Sequence, residues 1–263
     1  MNNKSVVLKK VKQLLELKYS GSTPKNYSHH IALFLEYAKN VPDRINNEDV
    51  LDYNISIRNK SNSYRNIAIN AIRAYFNLYL RKKLHGFSST RPPNQKRIPV
   101  VFDCDEMALK IDSITNLKHQ AILAIALCCW LRKSELLNIK LSDINGKLQT
   151  LHIKQSKGCK DRILPISTKT LTILRTYYKV YKPKIYLFEG QQSDTYSAAS
   201  VDKITKKYLY PSMRFHNIRA SGATYALKKG TDIKTVSHLL GHAKIQTTEY
   251  YIPVLYNTVM HAI

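Results

Sequence analysis

The sequence is short of negative charge. Its 263 residues hold 18 Asp and Glu against 42 Lys and Arg, a formal net charge of +24 at pH 7. A two-metal nuclease needs several carboxylates at one point, and here the raw material is scarce. Cysteine is sparse too, and Cys104, Cys128, Cys129 and Cys159 form no C-x-x-C pair. That speaks against a zinc site and for buried free thiols in a reducing compartment. There is no G-x-x-x-x-G-K-[ST] loop and no H-E-x-x-H, so neither a P-loop nucleotide site nor a zincin centre is expected. No metal and no cofactor are predicted. The longest apolar run, Ala121 to Leu131, is too short to span a bilayer. The start, Met1-Asn2-Asn3-Lys4, lacks the apolar core of a secretory signal. A cytoplasmic protein with no membrane partner is expected.

What is abundant is positive charge, and it is spread evenly. Residues 1–97 carry 18 basic against 6 acidic side chains, and residues 98–263 carry 24 against 12. The excess is therefore no detachable tail. Such a charge opposes compaction by self-repulsion unless a polyanion screens it. Nucleic acid is the first partner this points to and a membrane surface the second; a merely lysine-rich composition is the bland alternative.

Apolar spacing predicts helices over most of the chain. In the first third they cover Asn2 to Leu17, a segment from Pro24 with Thr23 as its cap, one from about Asn47, and one from about Ser63 that ends in Arg81-Lys82-Lys83. Together these suit a small bundle. From His85 to Pro99, prolines and serines among charges break the pattern and suggest a linker. Beyond it, helices fit Asp105–Ile111, His119–Leu131, Lys169–Tyr181, Ala198–Tyr208, Phe215–Lys229, Ile233–Leu240 and Thr247–Tyr251. One hairpin is expected, Leu148–Lys154 returning as Arg162–Ile166, with Lys157 and Gly158 at its basic tip. The fold class is thus mainly α with a small β-sheet. Its domains are 1–86 (helical), a linker at 87–99, and 100–263 (α+β).

With carboxylates scarce, chemistry on a phosphate would rely on cations and hydrogen bonds. Four places supply them. Arg132 and Glu135 in L-R-K-S-E-L are three apart, so a helix would set them on one face, where the carboxylate could orient a phosphate-gripping guanidinium. Alone, that pair reads more simply as a surface ion pair. Lys157 beside Gly158 could donate a proton, or simply be solvated. His216 and Arg219 share a face at a helix start, which favours anions. Finally His242 and Tyr251 lie close together after Gly241, although any one of 18 tyrosines is more simply core or stacking material.

Taken in order, L-R-K-S-E-L at 131–136, K-G at 157–158, H-N-I-R at 216–219 and L-G-H-A-K-I-Q-T-T-E-Y-Y at 240–251 resemble the phage-integrase family of tyrosine recombinases. The family pattern places its nucleophile nine residues after the L-G-H histidine, which selects Tyr251 over Tyr250. The resemblance implies a site-specific recombinase of compact, Xer-like plan. Its helical N-terminal domain would bind the core site, and both domains would clamp duplex DNA. Arg132 and Arg219 would hold the scissile phosphate, Lys157 would protonate the leaving 5′ oxygen, and His216 and His242 would assist with protons and hydrogen bonds. Glu135 would support the arginine from behind, and Tyr251 would form a 3′-phosphotyrosyl bond without metal or ATP. The partners implied are double-stranded DNA and further copies of the chain, a dimer per site and a tetramer in synapsis, with the tail after Pro253 contacting a neighbouring protomer. No separate arm-site-binding domain is expected. Trp130 stands where the family often has a small residue, and Ala220 where it often has histidine. The alternatives are a type IB-like topoisomerase and a non-catalytic DNA-binding regulator on the same fold.

Overall fold

In a computed structural model that describes residues 3–84, 86, 90–93, 99–154, 161–242 and 244–251, the periodicity of the first third becomes four helices. These are α1 (Asn3–Lys18), α2 (Thr23–Tyr37), α3 (Asn47–Ser56) and α4 (Asn62–Tyr75), the last continuing as one π-helical stretch, Phe76–Leu80. Leu15, Ile31, Phe34, Ile72 and Phe76 are among the side chains that fill the core of this bundle. Asn46 begins α3 with a reciprocal cap: its side chain accepts the Asp49 backbone N–H at 3.1 Å, and Asp49 accepts that of Asn46 at 2.9 Å. The start of α2 differs from expectation. Thr23 lies inside the helix and Ser22 takes the cap position, yet no side chain caps. Ser22 already has helical backbone (φ −81°, ψ −8°), which holds its hydroxyl away from the first-turn N–H groups.

The chain divides into two compact units, Met1–Lys96 and Arg97–Ile263. The division falls within the stretch expected to link the domains. Parts of that stretch are tied to the first unit: Asn54 donates to the Thr90 carbonyl at 2.9 Å and Arg91 to Asn70 at 2.6 Å.

The second unit holds α5 (Cys104–Asp112), α6 (Leu117–Cys129), α7 (Lys133–Leu137), α8 (Thr168–Tyr181), α9 (Ala198–Tyr208), α10 (Phe215–Lys228), α11 (Ile233–Leu240) and α12 (Gln246–Glu249). Its strands are β1 (Ile144–Asn145), β2 (Thr150–Ile153) and β3 (Arg162–Pro165), an antiparallel sheet in the order β1-β2-β3. Residues Ala121 to Ala126 of α6 are all buried, and α5, α8 and α10 pack around that helix. The expected strand from Leu148 begins only at Thr150, because Gln149 turns through the left-handed region (φ 53°) and Leu148 is exposed. β1 was not foreseen, since two residues carry no alternation. Leu151 pairs with Leu164 and Ile153 with Arg162, a register that turns one side of each strand inward. Among the described residues no helix is long and apolar enough to cross a membrane.

Candidate active site

The site is built around one buried carboxylate. α6 ends at Cys129, and Trp130 reverses the chain in the left-handed region (φ 49°, ψ 46°). Arg132 then stands, extended, just ahead of α7. Glu135, in the first turn of α7, reaches back: Oε2 accepts the Arg132 backbone N–H at 2.8 Å and Oε1 accepts Nη1 at 2.7 Å. The sequence suggested two residues on one helical face. Arg132 instead sits at the cap position, and the pair meets because a side chain at the third helical position folds back onto the cap. Nor is the pair a surface one, for the Glu135 side chain is 6% exposed.

Sequence reasoning missed the carboxylate's other neighbour, Arg162. It donates from Nη1 and Nη2 to the two Glu135 oxygens at 3.1 and 2.9 Å, and its side chain is 2% exposed. A signal existed. Along β3 and just beyond, Arg162, Leu164 and Ile166 are buried while Ile163 is exposed, so an arginine holds an inward strand position. A charge buried there requires a partner. Burial alone would raise the Glu135 carboxyl, but hydrogen bonds from Arg162 and from the Arg132 backbone and guanidinium pull it down to about 2.

Arg219, in the second turn of α10, completes the cluster 4.0 Å from Glu135 and donates to the Trp130 carbonyl at 2.8 Å. Burial and Arg132 lower its pKa to about 10, with Glu135 and Tyr251 opposing, so it stays charged at neutral pH. The three arginines also share the end of α11. Arg162 Nε donates to the Leu239 carbonyl at 2.9 Å, Arg219 to that of Leu240, and Arg132 to that of Gly241 at 2.9 Å. Three successive carbonyls at the helix end are thus each met by a cation, where the helix dipole is negative. Three guanidiniums against one carboxylate leave the cluster two charges positive.

Gly241 (φ 61°) ends α11, and the turn delivers His242, whose Nδ1 lies 2.8 Å from the Thr248 hydroxyl of α12. Burial, then Arg219, Arg132 and Arg162, push the His242 imidazole down to about 4, so it is neutral at neutral pH. Tyr251 follows α12 with its ring centroid 6.5 Å from that of His242, the planes 20° apart. Burial raises the Tyr251 phenol, and Arg219 and Arg132 offset part of that rise. Tyr250 is 38% exposed.

A cavity of about 1060 Å³ opens here, lined among others by Arg132, Lys133, His216, Arg219, Ala220 and Tyr251. His216 sits in the first turn of α10; burial, Arg214 and Lys133 lower its pKa, and Asp202 opposes them. Arg132, Glu135, His216, Arg219, His242 and Tyr251 are therefore brought together, while Lys157 lies outside the described residues. Of the two departures from the family pattern, Ala220 is buried and Trp130 is half-buried, and both are packed. Ala220 is 4% exposed. The Trp130 indole rests on Gly222, where a Cβ would come within 2.2 Å of the ring.

A cluster of cations around a phenol can bind a phosphate and stabilise the extra negative charge of its transition state. Residues 104–258 match the phage integrase family. The tyrosine recombinase XerA of Pyrococcus horikoshii is 31% identical over 95% of this chain and 90% of its own length. The tyrosine recombinase XerD of Listeria innocua is 27% identical over 92% and 91%. Among solved structures, the XerH recombinase in a post-cleavage complex with palindromic difH substrate superposes with a TM-score of 0.71 at 19% identity, covering 91% of this chain and 78% of that one. The lambda integrase dimer bound to a COC′ core site gives 0.70 at 16%, covering 94% of both chains. The chain belongs to the phage integrase family and is a tyrosine recombinase.

Proposed function

We propose that this chain cuts and rejoins double-stranded DNA through Tyr251. The phenolic oxygen attacks the scissile phosphorus, a P–O bond to Tyr251 forms, and the bond to the 5′ oxygen breaks. Arg132 and Arg219 grip the non-bridging oxygens, His216 takes up the phenolic proton, and His242 donates a hydrogen bond. Lys157, named by the sequence pattern, gives the departing 5′ oxygen its proton. The 3′-phosphotyrosyl bond keeps the phosphodiester energy, so a 5′ hydroxyl from a second duplex can reverse the step without ATP. The observation that carries this reading is the Tyr251 phenol in one cavity with Arg132 and Arg219, the two cations that offset part of the upward shift burial gives it.

The N-terminal bundle, 1–86, would bind the core site, with 87–99 as linker and 100–263 as catalytic domain. The chains would act as a dimer per site and a tetramer in synapsis, with the tail after Pro253 contacting a neighbour. The work would be done on cytoplasmic DNA. The XerH and lambda integrase structures are of DNA complexes, which supports the partner. The test is a nicked suicide duplex that traps the covalent adduct. Tyr251→Phe is expected to abolish the adduct and Tyr250→Phe to keep it; the reverse would shift the nucleophile by one residue. Joined labelled duplexes then separate recombination from relaxation alone.

A further inference from the structure

Arg162 takes no part in the chemistry proposed above, yet its side chain is the most deeply buried of the three arginines: 2% exposed, against 8% for Arg219 and 33% for Arg132. We propose that Arg162 is a positioning residue for strand cleavage, locking β3, Glu135 and the end of α11 together so that Arg132, Arg219 and His242 keep their places. The inference rests on the proposed function.

Three contacts carry it. Arg162 engages both oxygens of the carboxylate that also holds Arg132 by backbone and side chain. Two guanidiniums therefore divide one anion. Without Arg162 more of the charge of Glu135 would fall on Arg132, with Arg219 4.0 Å away taking a share, drawing the Arg132 guanidinium from a phosphate toward the protein. Second, Nε takes the Leu239 carbonyl, the first of three successive carbonyls of which Arg219 and Arg132 take the others. Third, the turn before His242 seats directly on the guanidinium. A Cβ at Gly241 would lie 2.9 Å from Arg162 Nη1 and 3.1 Å from Cζ, so only glycine lets the backbone come this near. Arg162 thus contacts Glu135, which anchors Arg132, and the end of α11, which meets Arg219 and leads into His242. A buried ion pair adds little net stability over an apolar replacement, so the value of this one lies in geometry.

The experiment uses full-length Arg162→Met on a nicked suicide duplex selected from random DNA against the parent. Two quantities are read: the DNA Kd, and the rate of adduct formation at saturating DNA. The rate is expected to fall about 10–100-fold, the loss that a misplacement near 1 Å produces. The Kd should stay within about threefold, since the effect lies in the chemical step rather than in uniform binding. Combining it with Glu135→Gln should cost no more than the slower single variant, because both act through one contact. A merely structural Arg162 would lower the melting temperature and leave the rate of the folded fraction unchanged. An adduct rate within about threefold of the parent, or an additive double variant, overturns the proposal. Should Arg162→Met fail to fold, Arg162→Lys keeps the charge without the planar fork and gives the same two readings. A parent that forms no adduct would overturn the phosphotyrosyl reading itself; a parent and an Arg162 variant that form it equally fast overturn only this inference.

Discussion

At the scale of single residues the difficulty is the nucleophile. A phenol with a pKa near 10 is almost fully protonated at neutral pH, and burial moves Tyr251 further that way. Arg219 and Arg132 act against burial, so the cations proposed to bind phosphate would also ready the oxygen proposed to attack it. His242, pushed down to about 4, adds no competing charge and can serve as a neutral hydrogen-bond donor. The leaving oxygen has the opposite need, a proton, and Lys157 is assigned to supply it. Lys157→Ala is expected to cleave ordinary DNA about 10²–10⁴-fold more slowly. A substrate with sulfur in place of the bridging 5′ oxygen should restore the rate, since a thiolate leaves without a proton. Equal slowness on both substrates would remove Lys157 from that role.

At the scale of elements the site depends on how α6 ends against α10. Trp130 sits in a left-handed conformation that costs a side-chain-bearing residue about 1–2 kcal/mol, and its carbonyl is thereby aimed at Arg219. The indole is accommodated by Gly222, three residues beyond Arg219. Inside a helix, alanine is ordinarily favoured over glycine by about 1 kcal/mol. Gly222→Ala should nevertheless destabilise the fold by about 1–3 kcal/mol, because the added methyl overpacks the indole. Trp130→Ala in the same chain should recover part of that loss, as urea denaturation would show. A Gly222→Ala chain as stable as its parent would mean that the contact is loose.

The same elements show what the sequence could convey. Helices with apolar stripes were legible almost to the residue, as at α9 and α11, because periodicity reports burial directly. β1 was not, being too short for alternation, and Arg132 was misplaced onto a helical turn because spacing cannot distinguish a cap from the first turn. Arg162 escaped because its partner Glu135 lies 27 residues away, and only the register of β3 turns it inward.

At the scale of the whole molecule, the net charge of +24 is shared equally between residues 1–97 and 98–263, which a polyanion would screen and acid would worsen. His30, His119, His216 and His242 all have lowered pKa values, burial being the largest cause in each. Each is held neutral in the fold, whereas the unfolded chain takes up its proton below the ordinary value of 6.5. Stability from these groups is complete above that value and is lost as pH falls toward the folded values, about 4 for His242. Glu135, held at about 2, adds its loss only below the ordinary carboxylate value of 4.5. The urea midpoint is therefore expected to drop between about pH 7.5 and about pH 5. An unchanged midpoint would show that these histidines protonate without opening the fold. The site as a whole was legible where motifs kept their spacing, and illegible where charges met only through the fold, as at the end of α11.

The central claim is that one phenol becomes covalently joined to DNA. The adduct trapped on a nicked duplex can be digested with protease and nuclease, and the nucleotide-bearing peptide fragmented in a mass spectrometer. The added mass is expected on Tyr251. Finding it on Tyr250, on another residue, or on no residue while cleavage proceeds would contradict the account.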